Sequence, residues 1–528
     1  MSSRLGSLFD VASRVGLLDP RRAPALTAGT ARWGPTIAAP VASTALATPN
    51  RIAVVDDRGT LSFGALDRQS SQLAKGLHRL GARRGDHIGL ACRNHRDFVE
   101  LTVAAAKAGL GVVYLNTSSA APQMAEVMDR EQIAVLAIDA ELLHLVPNEA
   151  FSAPVIAVGV GGRDDDHPNL SLHTTESVRA SAGLGPLRAS MPVAPILLTS
   201  GTTGTPKGAR RGNRADPSAA AGIIDRIPYR HDDVIAITSP LFHAWGLAQL
   251  FLATALGATV VLSTSFDATE TLARIERERV SVLAVVPVIL QRLLAAPTLD
   301  STDLSSLRIV ASSGSALPVP VVREWLDRVG PNLYNLYGST EVGQATLATP
   351  DDLLAHPDTA GRAMTGSEIV ILDDDRIRVP TGTIGTIFVG NGAQFDRYTG
   401  GGGKEIVDGL MSSGDIGHLD DDGLLFVTGR ADDMIVSGGE NVFPQEVEDL
   451  LLAHSAIADV AVVGVDDDEF GQRLAVYVVK ETGARLSATA VKKLVSDNLA
   501  RHKTPRDVHF IDEVPRTATG KVRRNQLD

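Results

Sequence analysis

The stretch Ile196-Leu-Leu-Thr-Ser-Gly-Thr-Thr-Gly-Thr-Pro-Lys-Gly208 opens as an apolar strand, Ile196–Thr199, and passes directly into hydroxyls and glycines. Gly201, Gly204 and Gly208 let backbone N–H groups converge on one anion. Thr199, Ser200, Thr202, Thr203 and Thr205 add neutral donors, and Lys207 adds a point charge. That composition suits a polyphosphate. It is not a Walker A loop, which needs Gly-Lys-Ser/Thr, whereas here Pro206 precedes Lys207 and Gly208 follows it. A ligand-free Ser/Thr/Gly turn is the plain alternative, but so constrained a run at a strand end argues against it.

Outward from this loop, short β-branched runs alternate with helical stretches. Ile52–Val55, His87–Ala91, Gly111–Leu115 and Ile133–Ile138 predict strands, with amphipathic helices at Leu66–Leu80 and Phe98–Ala108. The alternation resumes with Ile235–Thr238, Thr259–Ser263, Val282–Val286 and Leu307–Ala311, separated by Ala268–Arg279 and Pro318–Val329. This order predicts an α/β fold whose large N-terminal domain has layered, mostly parallel sheets with flanking helices. After Glu368, closely spaced strands, Gly-rich turns and the acidic hairpin tips Asp373–Asp375 and Asp420–Asp422 predict a small β-rich subdomain. After Gly429 a helix (Gln445–Ala453), strands (Val460–Val465, Leu474–Val479), a helix (Ala488–Ala500) and a strand (Val508–Ile511) predict a small α+β C-terminal domain. The expected divisions are 1–50, an amphipathic helix and a strap; 51–430, the large domain; and 431–528, the small one. Pro20–Pro49 reads as an ordered strap or linker, and Gly400–Gly403 as a flexible surface loop.

In 528 residues, 50 Lys+Arg against 62 Asp+Glu give a net charge of −12, which argues against a nucleic-acid surface. Hydrophobic residues at 44% and charged ones at 21% indicate an ordinary globular chain. The single cysteine, Cys92, excludes an intramolecular disulfide and a CxxC metal knuckle, and fits a cytoplasmic, reducing setting. It reads as a small buried hydrophobe. No apolar run approaches the ~18 residues of a membrane span, and Asp10 interrupts any signal-peptide core. Within residues 1–18, Leu5, Leu8, Phe9, Ala12, Val15 and Leu18 are spaced as an amphipathic helix, either docked on the body or touching a membrane surface.

Further motifs lie downstream. Tyr334-Asn-Leu-Tyr-Gly-Ser-Thr-Glu-Val-Gly343 places Glu341 as a hard-oxygen ligand for Mg²⁺ and Tyr337 where it can stack on a base. Ser413-Gly-Asp415 offers a carboxylate suited to a ribose diol. Gly429-Arg430-Ala-Asp432-Asp433, Ser437-Gly-Gly-Glu-Asn441 and Pro515-Arg-Thr-Ala-Thr-Gly-Lys521 follow. With Pro240-Leu-Phe-His-Ala-Trp-Gly246 and Ala311-Ser-Ser-Gly-Ser-Ala-Leu-Pro318, these motifs and their order resemble the adenylate-forming superfamily of acyl-CoA synthetases, luciferases and peptide-synthetase adenylation domains. The type resembled is the fatty acyl-CoA synthetase.

The resemblance implies a two-step ligase. A carboxylate attacks the α-phosphate of Mg-ATP to give acyl-AMP and pyrophosphate, and a thiol, that of coenzyme A, then displaces AMP. By position, the 199–208 loop would hold the β- and γ-phosphates, Glu341 would bind Mg²⁺, and Thr340 would contact the α-phosphate. Gly314, Ser315, Ala316 and Tyr337, with Gly338 and Ser339 of the same motif, would enclose the nucleotide. Asp415 and Arg430 would hold the ribose, and Lys521 would bridge carboxylate and α-phosphate. Asp432 matches the hinge of a mobile C-terminal domain, and Gly438 and Gly439 would leave room for the pantetheine arm.

For the acid, His243 and Trp245 match the motif lining the carboxylate entrance. Gly338 stands where acetate-specific relatives place tryptophan, which implies an open pocket and a medium- or long-chain fatty acid. Aryl and amino acids stay open. So does an acyl-AMP ligase serving a carrier protein, although no carrier domain follows Lys521. A catalytically silent nucleotide- or lipid-binding protein is the reading from another class. Monomer and homodimer are both compatible with the sequence.

Overall fold

The computed structural model describes residues 13–16, 19–147, 151–159, 170–183, 185–187, 192–199, 206–210, 217–437, 440–467, 471–517 and 519–527. The amphipathic pattern of residues 1–18, and with it the membrane-surface reading, lies largely outside them. The chain forms two compact units, one built from 1–285, 296–311 and 392–403, the other from 286–295, 312–391 and 404–528.

The first unit holds an eight-stranded sheet ordered Arg397–Tyr398, Lys207–Arg210, Ile196–Thr199, Gly111–Tyr114, His87–Ala91, Ile133–Asp139, Val155–Val158, Leu172–Thr174. From Ile196–Thr199 onward the pairs are parallel; Lys207–Arg210 and Arg397–Tyr398 join antiparallel. The central strands Gly111–Tyr114 and Val155–Val158 are buried at every residue, as expected where helices cover both faces. The same unit pairs Val282–Val285, Val234–Ile237, Thr259–Val261 and Ile52–Asp56 in parallel, and Ile52–Asp56 turns back antiparallel into Gly59–Ser62.

Two sequence expectations shift here. The helix expected from Leu66 begins at Phe63, because the Ser62 side chain accepts a hydrogen bond from the Ala65 backbone N–H and caps it. The strap expected over Pro20–Pro49 is two helices, Arg22–Trp33 and Ala38–Ala47. Pro24 and Pro40 both fall in a first turn, where the missing N–H has no intrahelical partner to lose.

In the second unit, antiparallel strands lie in the order Leu333–Ser339, Gly343–Ala348, Gly361–Ala363, Leu424–Arg430, Leu410–Leu419, Gly385–Gly390, Glu368–Leu372. The C-terminal segment forms its own five-stranded sheet around the antiparallel pair Ile457–Asp467 and Gly471–Lys480. Its residues alternate with period two. Val460, Val462, Leu474, Val476 and Val478 pack beneath the helices Pro444–Leu452 and Ala488–Asn498, through Val447, Leu451, Val491 and Val495. Ala461, Val463 and Ala475 face the other way, toward Val514 and Leu527 of the C-terminal tail. That tail carries Lys521.

Behind the strand His87–Ala91 lies a buried polar turn. The Asn94 amide donates to the carbonyls of Ile237 (3.2 Å) and Ser239 (2.9 Å) and accepts from Leu241 N–H (2.9 Å), tying the ends of two strands together. Next to it, His95 Nε2 bonds Asp139 at 2.8 Å, and Nδ1 lies 3.4 Å from Asp97. Burial opposes the imidazolium, but the two aspartates outweigh it and raise the His95 pKa to about 9. Cys92 is fully buried, as its apolar reading requires. A histidine whose pKa is raised on folding stabilises fully below its unfolded value of about 6.5, and that stability is lost as pH climbs through about 9. Denaturant unfolding at pH 6 and pH 9.5 will differ by up to about 3 kcal/mol from this group, and in His95→Gln that part of the pH dependence will vanish.

Candidate active site

Ile196–Thr199 and Lys207–Arg210 form a hairpin, with Thr199 opposite Lys207 and the Thr199 hydroxyl donating to the Lys207 carbonyl at 3.2 Å. The phosphate-loop reading therefore falls on a hairpin connection. Ser200, Gly201, Thr202, Thr203, Gly204 and Thr205 lie outside the described residues. The Lys207 ammonium stands 5.4 Å from the centroid of the Tyr398 ring, a cation–π distance. Arg130 Nη2 donates to the Pro206 carbonyl at 2.9 Å and holds the exit of the loop.

His243 occupies the cap position of the helix Ala244–Leu256, its ring 4.5 Å from that of Phe242. Trp245 is buried, and its indole N–H donates to the Val285 carbonyl at 2.9 Å. This bond anchors the helix start to the strand Val282–Val285 and gives the tryptophan a packing role that sequence reading did not foresee.

Within the second unit, Asp415, Arg430, Tyr337 and Lys521 come together. Asp415 and Arg430 lie opposite each other on adjacent strands. Arg430 Nη1 approaches Asp415 at 3.4 Å, while its Nε and Nη2 bond Asp432 at 2.9 and 3.1 Å. The Tyr337 hydroxyl donates to Asp415 at 2.5 Å, a contact the base-stacking reading had not included. Burial raises the Asp415 pKa, opposed by the Tyr337 hydrogen bond and the positive charges of Arg430 and Lys521. For Arg430, burial works against the charge, and Asp432 and Asp415 outweigh it.

Lys521 sits on a tight turn closed by Thr517 N–H to the Lys521 carbonyl (2.7 Å) and Gly520 N–H to the Thr517 carbonyl (2.8 Å). Gly520 has φ +84°, and a Cβ there would stand 3.0 Å from Val288 Cγ1 and 3.7 Å from Ser315 Oγ. Glycine is thus required twice over, and the turn abuts the Gly314–Ala316 segment. Arg516 fixes the base of the turn, bonding Asp459 at 2.7 and 3.2 Å and the Gly520 carbonyl at 2.9 Å. Sequence reading quoted Arg516 inside its motif without a role; only the pairing with Asp459, from another strand, reveals it. The Lys521 side chain is crowded by protein yet retains solvent access. Its pKa is lowered by that partial burial and by Arg430, and supported by Asp415, Glu341 and Asp433.

Ser339 Oγ accepts from the backbone N–H groups of Glu341 and Val342, both at 3.2 Å, shaping the turn that carries Thr340 and Glu341. Gly338 has a reason of its own. It lies at a bulge against the strand Gly343–Ala348, where a Cβ would collide with the Gly343 carbonyl oxygen. Backbone approach by itself thus asks for a glycine there. Gly438 and Gly439 lie outside the described residues.

Residues 41–399 match the AMP-binding enzyme family and 446–521 match the AMP-binding enzyme C-terminal domain. The chain belongs to the AMP-binding enzyme family. It is 34% identical over 488 residues to the indoleacetate–CoA ligase of Aromatoleum aromaticum, covering 91% of this chain and 95% of that one. To the 2-succinylbenzoate–CoA ligase of Bacillus pumilus it is 31% identical over 494 residues, covering 92% and 96%. Among solved structures, o-succinylbenzoate CoA synthetase (MenE) of Bacillus subtilis, in complex with its acyl-adenylate intermediate OSB-AMP, superposes with a TM-score of 0.78 at 26% identity over 93% of this chain and 97% of that one.

In this AMP-binding enzyme, burial and the hydrogen-bond and charge partners of Asp415 act on its pKa in opposite directions. Tyr337→Phe removes a bond that favours the carboxylate and drives the Asp415 pKa further up. The Asp415 titration, followed by carboxyl NMR across pH, will move to higher pH in the variant.

Proposed function

We propose that the protein is an ATP-dependent acid–CoA ligase acting through an acyl-adenylate. The observation that carries this is the convergence of the Lys521 ammonium with Asp415, Arg430 and Glu341. In the first half-reaction the carboxylate of the acid attacks the α-phosphorus of ATP, and pyrophosphate leaves. Two anions must meet, and the Lys521 ammonium neutralises the charge that builds between them. Asp415 and Arg430 orient the ribose, the Gly314–Ala316 segment and Tyr337 border the adenine, and Thr340 contacts the α-phosphate. The loop from Thr199 through Lys207 cradles the β- and γ-phosphates. In the second half-reaction the CoA thiol attacks the acyl carbonyl, AMP leaves, and the thiol proton passes to solvent. Gly438 and Gly439 line the pantetheine path, and Asp432, already paired with Arg430, is the hinge.

For Mg²⁺ the chain offers Glu341, and a single carboxylate fits this ion when substrate phosphates complete its shell. Once bound, it supplies charge neutralisation on the phosphates.

For the acid, we favour a carboxylate carried on a ring system. The two curated relatives are named for indoleacetate and 2-succinylbenzoate, both ring-bearing acids. Medium- and long-chain fatty acids, the class expected from the sequence, rested on the openness at Gly338 and on the absence of a partner for an amino group; Gly338 has a second reason in backbone packing.

Mg-ATP-dependent pyrophosphate release, measured with arylacetates, aryl acids, fatty acids from octanoate to stearate and amino acids, with and without CoA, tests this. Turnover with ring-bearing acids that needs CoA for completion is expected. Turnover with fatty acids alone would overturn the acid assignment, and a single burst indifferent to CoA would overturn the acceptor. A unit charge about 4 Å from a phosphate oxygen is worth ~4 kcal/mol at an effective dielectric of 20, about a thousandfold in rate. Lys521→Ala will lose about that factor in acyl-AMP formation while transferring preformed acyl-AMP to CoA at near wild-type rate. Equal losses in both half-reactions would refute the role given to Lys521.

A further inference from the structure

One cation near this cluster is used by none of the steps above. Lys404 follows the Gly400–Gly403 run, and its side chain is half-buried. The next residue, Glu405, is drawn the other way, bonding Arg376 at 2.6 and 3.0 Å, while its carbonyl accepts from Ser412 N–H at 2.9 Å. With the backbone pinned there, the Lys404 ammonium lies against the turn Ser413-Gly-Asp415. A Cβ placed on Gly414 would stand 3.1 Å from Lys404 Nζ and 3.3 Å from Arg430 Nη2, so both cations approach one point above that glycine.

The turn beneath them is firmly held. Ser413 Oγ donates to the Ile387 carbonyl at 3.0 Å and accepts from Asp415 N–H at 3.1 Å, and Gly414 N–H donates to Ser412 Oγ at 3.3 Å. Gly414 has φ +85°, so glycine both makes the turn and leaves room for the ammonium. The charged groups around Lys404 are Asp415, Asp432 and Arg430. Its charge favours the ionised forms of both aspartates. Yet Asp415 is already engaged by Tyr337 and Arg430, and Asp432 by two nitrogens of Arg430. Among the described residues, no hydrogen bond or ion pair is formed by Lys404. Lys404 and Arg430, brought over one small turn, repel each other, and an anion entering there relieves that cost.

We infer that Lys404 is a third nucleotide-binding cation, beside Arg430 and Lys521, whose ammonium donates to a ribose-phosphate oxygen of the bound adenylate. The inference rests on the ligase reading above and names a residue that the motifs did not. The phosphate of CoA offers the same chemistry as that of the adenylate, and the two are separable by titration.

The test is calorimetric titration of the full chain with AMP, and separately with CoA, for the wild type, Lys404→Ala and Lys404→Arg. A charge-assisted hydrogen bond lost with the side chain predicts an AMP Kd raised about tenfold in Lys404→Ala and largely recovered in Lys404→Arg. In turnover, KM for ATP should rise with kcat changed less than about twofold, as expected for uniform binding. The wild-type advantage over Lys404→Ala should shrink as salt is raised. An unchanged AMP Kd overturns the inference, as does a loss confined to CoA. If Lys404→Ala is thermally destabilised, Lys404→Arg decides: restored stability without restored AMP affinity overturns it as well. Wild-type protein that binds no AMP would instead refute the ligase reading beneath it.

Discussion

A buried carboxylate organises the second unit. Asp415 stands where desolvation disfavours its charge, and a phenol and a guanidinium delivered to it oppose that cost. Tyr337 comes from the strand Leu333–Ser339, and Arg430 from the neighbour of Asp415's own strand. Bringing those three side chains together requires the antiparallel sheet to hold its register. A slip of one residue would turn each of them to the opposite face. The same guanidinium also bonds Asp432, so the residue that presents the ribose acceptor is fastened to the start of the C-terminal segment. The charge environment of Asp415 and the placement of that segment therefore share one side chain.

Lys521 follows a similar logic with a different device. A flexible ammonium at the end of a chain would spend its binding energy on ordering itself. Here the turn that carries it is clamped by Arg516 against Asp459 of the C-terminal sheet, and narrowed by a glycine with no room for a side chain. The period-two alternation that buries Val460 and Val462 on one face and Ala461 and Val463 on the other docks the tail through Val514 and Leu527. A hydrophobic pattern sixty residues away in sequence thus sets the position of a charge.

The first unit shows how polar groups are used when a parallel sheet is closed on both sides. Asn94 closes the ends of two strands with three hydrogen bonds, and His95 is kept charged between two aspartates. Trp245, conspicuous in the sequence as a pocket residue, is committed through its indole N–H to a backbone carbonyl. Residues chosen for chemistry by motif are here also residues the fold cannot spare, which couples the conditions for binding to those for stability.

Much was legible before any coordinates. Strand and helix order followed from hydrophobic period, which depends only on residues a few positions apart, and the motifs identified the family because backbone approach to phosphates restricts sequence severely. What sequence could not supply were facts that depend on residues distant along the chain. The strap expected over Pro20–Pro49 proved to be two helices, with Pro24 and Pro40 each in a first turn. Gly338, read as open pocket space, also stands where the neighbouring strand comes close to its Cα. Arg516 and Lys404 carried no signal, because a lone cation acquires meaning only from the groups that folding sets beside it. Residue pattern was enough for the α/β class and for the family; which charged residues share an environment was set by folding, since electrostatic coupling depends on distances of a few ångströms that local pattern does not encode.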